Sequence, residues 1–150
     1  MNQNGRKINR IPGYDYSQNG AYFITICVQD RKQILSKITA PDACIILKPY
    51  GKVVEKYIQN TPEITKYVIM PDHIHLIIHL DGNQHARKIT SIVRSIKVLS
   101  VKEIGQSIFQ RSYYDHVVRN QKDYDEIWEY IDNNPQKWVL QHLNEEEFLD

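Results

Sequence analysis

Residues 68–80, VIMPDHIHLIIHL, constrain the fold more tightly than any other stretch of the chain. Pro71-Asp72 reads as a turn, with a strand entering it at about 64–70 and another leaving it over 73–80. Side chains alternate between the two faces of a strand. Ile74, Leu76, Ile78 and Leu80 therefore share one face, while His73, His75, Ile77 and His79 share the other. The aliphatic face should pack against helices. The histidine face needs a different cover, and a strand this apolar has no obvious use for imidazoles in a core.

The flanking segments supply the partners. Residues 1–20 read as an extended basic arm with Pro12-Gly13 and Asn19-Gly20 as turn signals. AYFITICVQD (21–30) has strong strand propensity, and residues 31–47 are part strand and part loop. Val53, Val54, Tyr57 and Ile58 recur at helical intervals over 49–60, with Pro49 suited to a helix start and Thr61-Pro62 to its stop. DGNQ (81–84) is a loop. Residues 89–105 form a helix with Ile89, Ile92, Val93, Ile96 and Ser100 on one stripe and Gly105 at its end. A strand follows over 109–118. Asn120 caps a helix over about 121–133, and a polar, acidic tail follows Pro135, with residues 139–150 as its end. The order is the α+β, ferredoxin-like (RRM-like) βαββαβ pattern of an antiparallel sheet, with one helix added at the C-terminal end. In that pattern the first and third main strands are central, and the third carries His73 and His75.

A chain of 150 residues suits a single domain. Its 41% apolar and 25% charged residues are ordinary for a soluble protein. No apolar run approaches the roughly 20 residues of a membrane helix, and the polar N-terminus lacks a signal core, so a cytoplasmic location without membrane contact is expected. Cys27 and Cys44 form neither a disulfide framework nor a metal spacing and are expected as buried free thiols. Net charge divides sharply. Residues 1–119 hold 17 Lys and Arg against 9 Asp and Glu, a net of +8, and residues 120–150 hold 2 against 9, a net of −7. A basic body fits a polyanionic partner. The acidic end is a solvated surface, or a segment that competes with nucleic acid and restrains the site.

His73 and His75 have Cα atoms roughly 6.6 Å apart on an ideal strand, close enough for both imidazoles to reach one metal ion. His79 lies roughly 13 Å beyond His75 by the same rise, which excludes it from that ion and assigns it a structural or DNA-facing role. A lone His-x-His pair is weak evidence of a metal site, and two satisfied polar side chains are the plainer explanation. Asp72 adjoins the pair, but strand alternation points it away. The C-terminal helix offers Tyr130 and Asn134 at i and i+4, on one helical face. An amide oxygen at Asn134 could complete a metal site with Tyr130 pointing at the same place. The competing explanations are an aromatic core anchor with its hydroxyl paired and an ordinary helix-ending residue before proline.

In combination, these segments resemble a known family. VIMPDHIHLIIHL resembles the HUH motif of single-tyrosine transposases. RIPGYDYSQNGAYFITICVQDR and FQRSYYDHVVRNQKDYDEIWEYIDNNPQKW resemble segments of REP-associated tyrosine transposases, the match spanning roughly residues 8–138. The resemblance implies an endonuclease and strand transferase acting on single-stranded or hairpin DNA. Tyr130 is then the nucleophile, and His73, His75 and Asn134 the ligands of a divalent metal, Mg²⁺ or Mn²⁺. Insertion-sequence members carry Gln where this chain has Asn134. They form dimers, whereas the REP-associated members resemble monomers, so monomer and homodimer both stand. A phenol titrates near 10 in water, so a neighbouring cation that favours phenolate and polarises a phosphate suits the chemistry. Mg²⁺ prefers oxygen ligands, and two histidines suit Mn²⁺ well. The product implied is a 5′-phosphotyrosine with a free 3′-hydroxyl, which preserves the bond for rejoining.

Arg6, Lys7, Arg10, Lys88, Arg94 and Lys97 are candidates for phosphate contacts, against a solvated face. Arg111 and His116 are further DNA-facing candidates on the strand before the tyrosine helix, with a structural role competing for His116. Tyr14 and Tyr16 are candidates for stacking on unpaired bases. Two other functions compete: a non-catalytic nucleic-acid-binding module on a ferredoxin-like sheet, and a metal-dependent hydrolase of small phosphoesters.

Overall fold

The structure, a computed structural model, describes residues 20–81 and 85–149, with side chains left undescribed at 85–87 and 143–149. The basic arm, with Arg6, Lys7, Arg10, Tyr14 and Tyr16, lies outside the described residues, as do residues 82–84.

Among the described residues, four strands form the main sheet: β1 (Ala21–Cys27), β4 (Ile64–Ile69), β5 (His73–His79) and β6 (Tyr114–Val117). Their order is β4-β5-β1-β6, every pair antiparallel. β1 and β5 are central, as the βαββαβ pattern requires. The helices are α1 (Pro49–Gln59), α2 (His85–Ile104) and α3 (Gln121–Leu149). Two apolar clusters sandwich the sheet. Ile74, Leu76 and Ile78 face α1 and α2, meeting Val54, Ile58, Ile89, Val93 and Ile96. The histidine face is covered by α3, whose Tyr124, Ile127, Trp128 and Ile131 pack with Ile77, Val68 and Met70. Of the expected helical stripe, Ile89, Val93, Ile96 and Ser100 are at most 2% exposed, while Ile92 is only partly buried. Gly105 ends α2 at φ 93°, with its N–H donating to the Val101 carbonyl, a backbone position that glycine adopts without strain. Gly51 serves packing instead. A Cβ there would stand 2.0 Å from the Leu35 carbonyl oxygen, so α1 could not lie against that loop with any other residue.

Several local expectations are corrected. Residues 31–47 hold a separate hairpin, β2 (Ser36–Thr39) and β3 (Cys44–Leu47). Its strands are four residues long, too short for periodicity to register. Cys44 sits at that hairpin's exposed end, so only Cys27 of the two free thiols is buried. The strand expected over 109–118 is interrupted: Phe109 bridges to Val28, and β6 proper begins at Tyr114. The intervening loop is held by the Lys97 ammonium, which donates to the carbonyls of Gln110, Arg111 and Ser112 at 2.9, 3.4 and 3.2 Å. α2 also starts four residues earlier than read, at His85.

The largest correction concerns α3. It does not stop before Pro135 but runs through it to Leu149, so residues 139–149 are helix rather than tail. An internal proline loses one backbone hydrogen bond and crowds the preceding turn. Packing beyond the proline offsets that cost: Val139 is 5% exposed, Trp138 packs against the same apolar cluster as Ile38 and Ile45 of the hairpin, and Ile38, Trp138 and Val139 line one cleft. Trp138 also stacks on His142, with ring centroids 3.9 Å apart.

α3 is fixed to the sheet by charge as well as by apolar contact. Lys66 on β4 is 3% exposed, and its Nζ donates to Asp132 Oδ1 at 2.6 Å while lying 4.1 Å from the Trp128 ring centroid. At the N-terminal end of α3, Asn120 Oδ1 accepts the Asp123 N–H at 2.8 Å, as a capping residue should. Asp123 Oδ2 accepts from His116 Nε2 and from the Arg119 N–H.

Candidate active site

Sheet register brings the histidine pair to β1. Val68 pairs with His75, His75 with Thr25, and Thr25 with Tyr114, one row across all four strands. Directly opposed residues share a face, so Thr25 and His75 both look toward α3. Thr25 Oγ1 lies 2.9 Å from His75 Nδ1. His75 Nε2 is buried with no hydrogen-bond partner among the described residues. With Nδ1–H donating to Thr25, the orphaned Nε2 carries a lone pair, the state a metal ligand requires. Burial pushes the His75 pKa down to about 3, with the charges of His73 and Arg31 adding to the effect. The imidazole is therefore neutral at any ordinary pH.

His73 has its own orienting partner. Its Nδ1 is 2.6 Å from Asp72 Oδ1, and a carboxylate only accepts. In the neutral ring Nδ1 then carries the proton, and Nε2 is left as the acceptor. Burial favours the neutral Asp72 carboxyl, but hydrogen bonds from His73 and Arg31 outweigh it and hold the group below the usual carboxylate range. Arg31 Nε donates to Asp72 Oδ2 at 3.2 Å, with the guanidinium about half exposed. Arg31 belongs to a 3₁₀ turn, Gln29–Arg31, directly after β1, in which Asp30 and Arg31 both hold left-handed backbone at φ 56° and 51°.

α3 delivers the remaining groups. Tyr130 is 43% exposed, with its ring against Phe23 and His75 at centroid distances of 6.1 and 5.5 Å. The two histidine rings are 4.6 Å apart. Asn134, one turn on, is 6% exposed and donates weakly to the Tyr130 carbonyl. Lys137 stands with its Nζ 5.7 Å from the Tyr130 ring centroid. The residues that line an open pocket of about 490 Å³ include His73, His75, Tyr130, Asn134, Arg31, Lys137 and Tyr114.

The core-anchor explanation for Tyr130 therefore does not hold. Tyr124 fills that role instead, 1% exposed, with its hydroxyl 3.3 Å from His79 Nε2 and its ring stacked on Trp128. His79 is thus structural and remote from the pair. Among the described residues, no three His, Cys, Asp or Glu side chains cluster as a metal cage, so a third protein donor would come from the Asn134 amide. The outlying candidates scatter. Lys88 and Arg94 are exposed on α2, across the sheet from the histidines. Arg111 is exposed in the loop before β6, Lys97 holds that loop, and His116 braces the start of α3. Asp72, Thr25, Arg31 and Lys137 were not singled out from sequence. Strand alternation points Asp72 away from the pair, but alternation does not govern a turn residue.

The family model described as "Transposase IS200 like" matches residues 16–134. The chain is 34% identical to an uncharacterized Haemophilus influenzae protein over 92% of both chains. It is 30% identical to the REP-associated tyrosine transposase of Escherichia coli (strain K12), over 84% of this chain and 73% of that one. A solved structure of a REP-associated tyrosine transposase bound to a REP hairpin superposes with a TM-score of 0.60 at 28% identity, covering 79% of this chain and 68% of that one. Among the described residues no helix is long and apolar enough to cross a membrane.

Proposed function

Because this chain belongs to the IS200-like transposase family, we propose that it is a metal-dependent endonuclease and strand transferase of the HUH class that cuts single-stranded DNA beside a hairpin through Tyr130. The observation that carries the proposal is the half-exposed Tyr130 ring against His75, whose buried Nε2 has no partner among the described residues. An orphaned buried nitrogen costs free energy unless something binds it, and a divalent cation fits a set of two imidazoles and an amide.

His73, His75 and Asn134 would hold the ion, Mg²⁺ or Mn²⁺, which when bound supplies charge to polarise the scissile phosphate and to favour phenolate. Asp72 and Thr25 hold the Nδ1 protons of His73 and His75 and so fix which nitrogen each ring presents. Phe23 backs the Tyr130 ring and limits its rotation. Tyr130 Oη forms a bond to phosphorus as the bond from phosphorus to the 3′-oxygen breaks. The phenol proton is lost to solvent, and the 3′-oxygen takes one up to leave as a hydroxyl. Arg31 and Lys137, at the pocket rim, are placed to neutralise the phosphate charge. The hairpin as ligand rests on the related structure bound to a REP hairpin.

Incubating the protein and Mn²⁺ with labelled hairpin oligonucleotides bearing single-stranded tails should give a denaturant-stable protein–DNA adduct. EDTA, His75→Ala and Tyr130→Phe should each abolish it. An adduct that survives Tyr130→Phe refutes the proposal. So does salt-sensitive binding that is indifferent to EDTA and yields no adduct on any hairpin.

A further inference from the structure

Tyr114 is 66% exposed, more than any other large apolar or aromatic side chain among the described residues. Its position makes that exposure informative. It ends the row Val68–His75–Thr25–Tyr114, so it rises from the same face as His75, two strand spacings or about 10 Å away. α3 covers the middle of that face and meets β6 at its far end, through His116 and Asp123, but among the described residues it leaves Tyr114 uncovered, and all four β6 residues are exposed. The aromatic rings nearer the centre are committed: Tyr130 lies against Phe23 and His75. The Tyr114 ring and hydroxyl have no hydrogen bond or ring partner among the described residues. Arg31 and Lys137 border the same pocket, placing cations beside a free π-face. Those are the two elements with which proteins hold single strands: charge along the backbone and an aromatic ring beneath a base.

We propose that Tyr114 is a stacking platform for the unpaired base next to the phosphate that Tyr130 attacks. This rests on the pocket receiving a DNA strand. The site takes a nucleobase through its ring face, so it tolerates base identity but requires that a base be present. It also extends the binding surface from the pocket onto β6, the last strand in the order β4-β5-β1-β6. A strand laid across the site would enter over β6 and pass Tyr114 before its phosphate reaches Tyr130.

The test is a binding cycle in a Tyr130→Phe background, where no cleavage intervenes. Affinity for tailed-hairpin oligonucleotides is measured by fluorescence anisotropy, with a single abasic position moved along the tail. Tyr114→Ala should weaken binding by about 5- to 150-fold, the range for loss of one base–aromatic stack. Tyr114→Phe and Tyr114→Trp should retain affinity. At one abasic position, adjacent to the cleavage point, the Ala penalty should vanish. Tyr114 is exposed, so the Ala variant should melt with its parent. An Ala variant that binds as tightly as its parent overturns the proposal, as does a penalty that persists at every abasic position. The cycle reads binding alone: a coupled position without any wild-type adduct sinks the cleavage reading and keeps Tyr114 as a base platform beside the pocket. An adduct without coupling does the reverse.

Discussion

His75 and Tyr130 meet ring to ring from different elements, with centroids 5.5 Å apart and planes inclined by 66°. The contact joins the central strand β5 to α3, so the lie of α3 across the sheet sets the distance between the candidate nucleophile and the candidate metal ligands. Anything that moves the helix alters the site without touching it.

Asp72 is the first place to test how the histidines are held. Asp72→Asn removes the anionic acceptor of the His73 Nδ1–H and weakens the tie to Arg31. Outer carboxylates of this kind typically carry about 10- to 100-fold in metal affinity. Calorimetric titration with Mn²⁺ should show a loss of that order with the fold unchanged. Equal affinity in the variant would mean that the carboxylate does not orient the ring.

The Lys66–Asp132 pair tests the seating of α3. Asp132→Ala leaves the buried Lys66 ammonium without its carboxylate, while the Trp128 face remains beneath it. Because the Asp132 side chain is one-third exposed, the expected cost is about 2 kcal/mol, below that of breaking a fully buried pair. Urea denaturation measures it. Lys66→Met, which removes the charge and keeps the apolar stem, should cost less. The reverse order would show that the pair does not anchor the helix.

Acid should act at the other end of α3. Burial alone would raise the Asp123 pKa, but bonds from His116 and the Arg119 N–H overcome it and hold the carboxyl below its ordinary range. A carboxylate depressed in the folded state adds stability above its unfolded pKa and loses it as pH falls through the folded value. The melting-temperature deficit of Asp123→Asn should therefore be full near pH 6 and shrink as the pH falls through about 4 toward 3. A deficit constant across that range would exclude a role for the charge.

Much of this arrangement could be read from residue order. Alternation along 73–80 separated core from histidine face without any knowledge of the fold, because a strand has period two. The spacing of Tyr130 and Asn134 put them on one helical face for the same kind of reason. Other features depend on tertiary pairing that no local period carries. Thr25 reaches His75 only through the register of β1 on β5, and Arg31 reaches Asp72 only because a left-handed turn after β1 folds it back. Pro135 is a strong local stop signal, overridden by Trp138 and Val139 packing against a hairpin whose strands were too short to recognise. That error also affected the acidic end. Val139 is buried and Gln141 lines the pocket, so removing 139–150 would disturb packing and site together, not merely lift a restraint.

The most direct measurement is the identity of the residue that carries DNA. Wild-type protein would be reacted with Mn²⁺ and a tailed hairpin, digested with protease and nuclease, and its nucleotide-bearing peptide sequenced by mass spectrometry. The nucleotide should sit on Tyr130, joined through a 5′-phosphate. A nucleotide on Tyr114, the other tyrosine of the pocket, or on any residue outside it would contradict the assignment of the nucleophile.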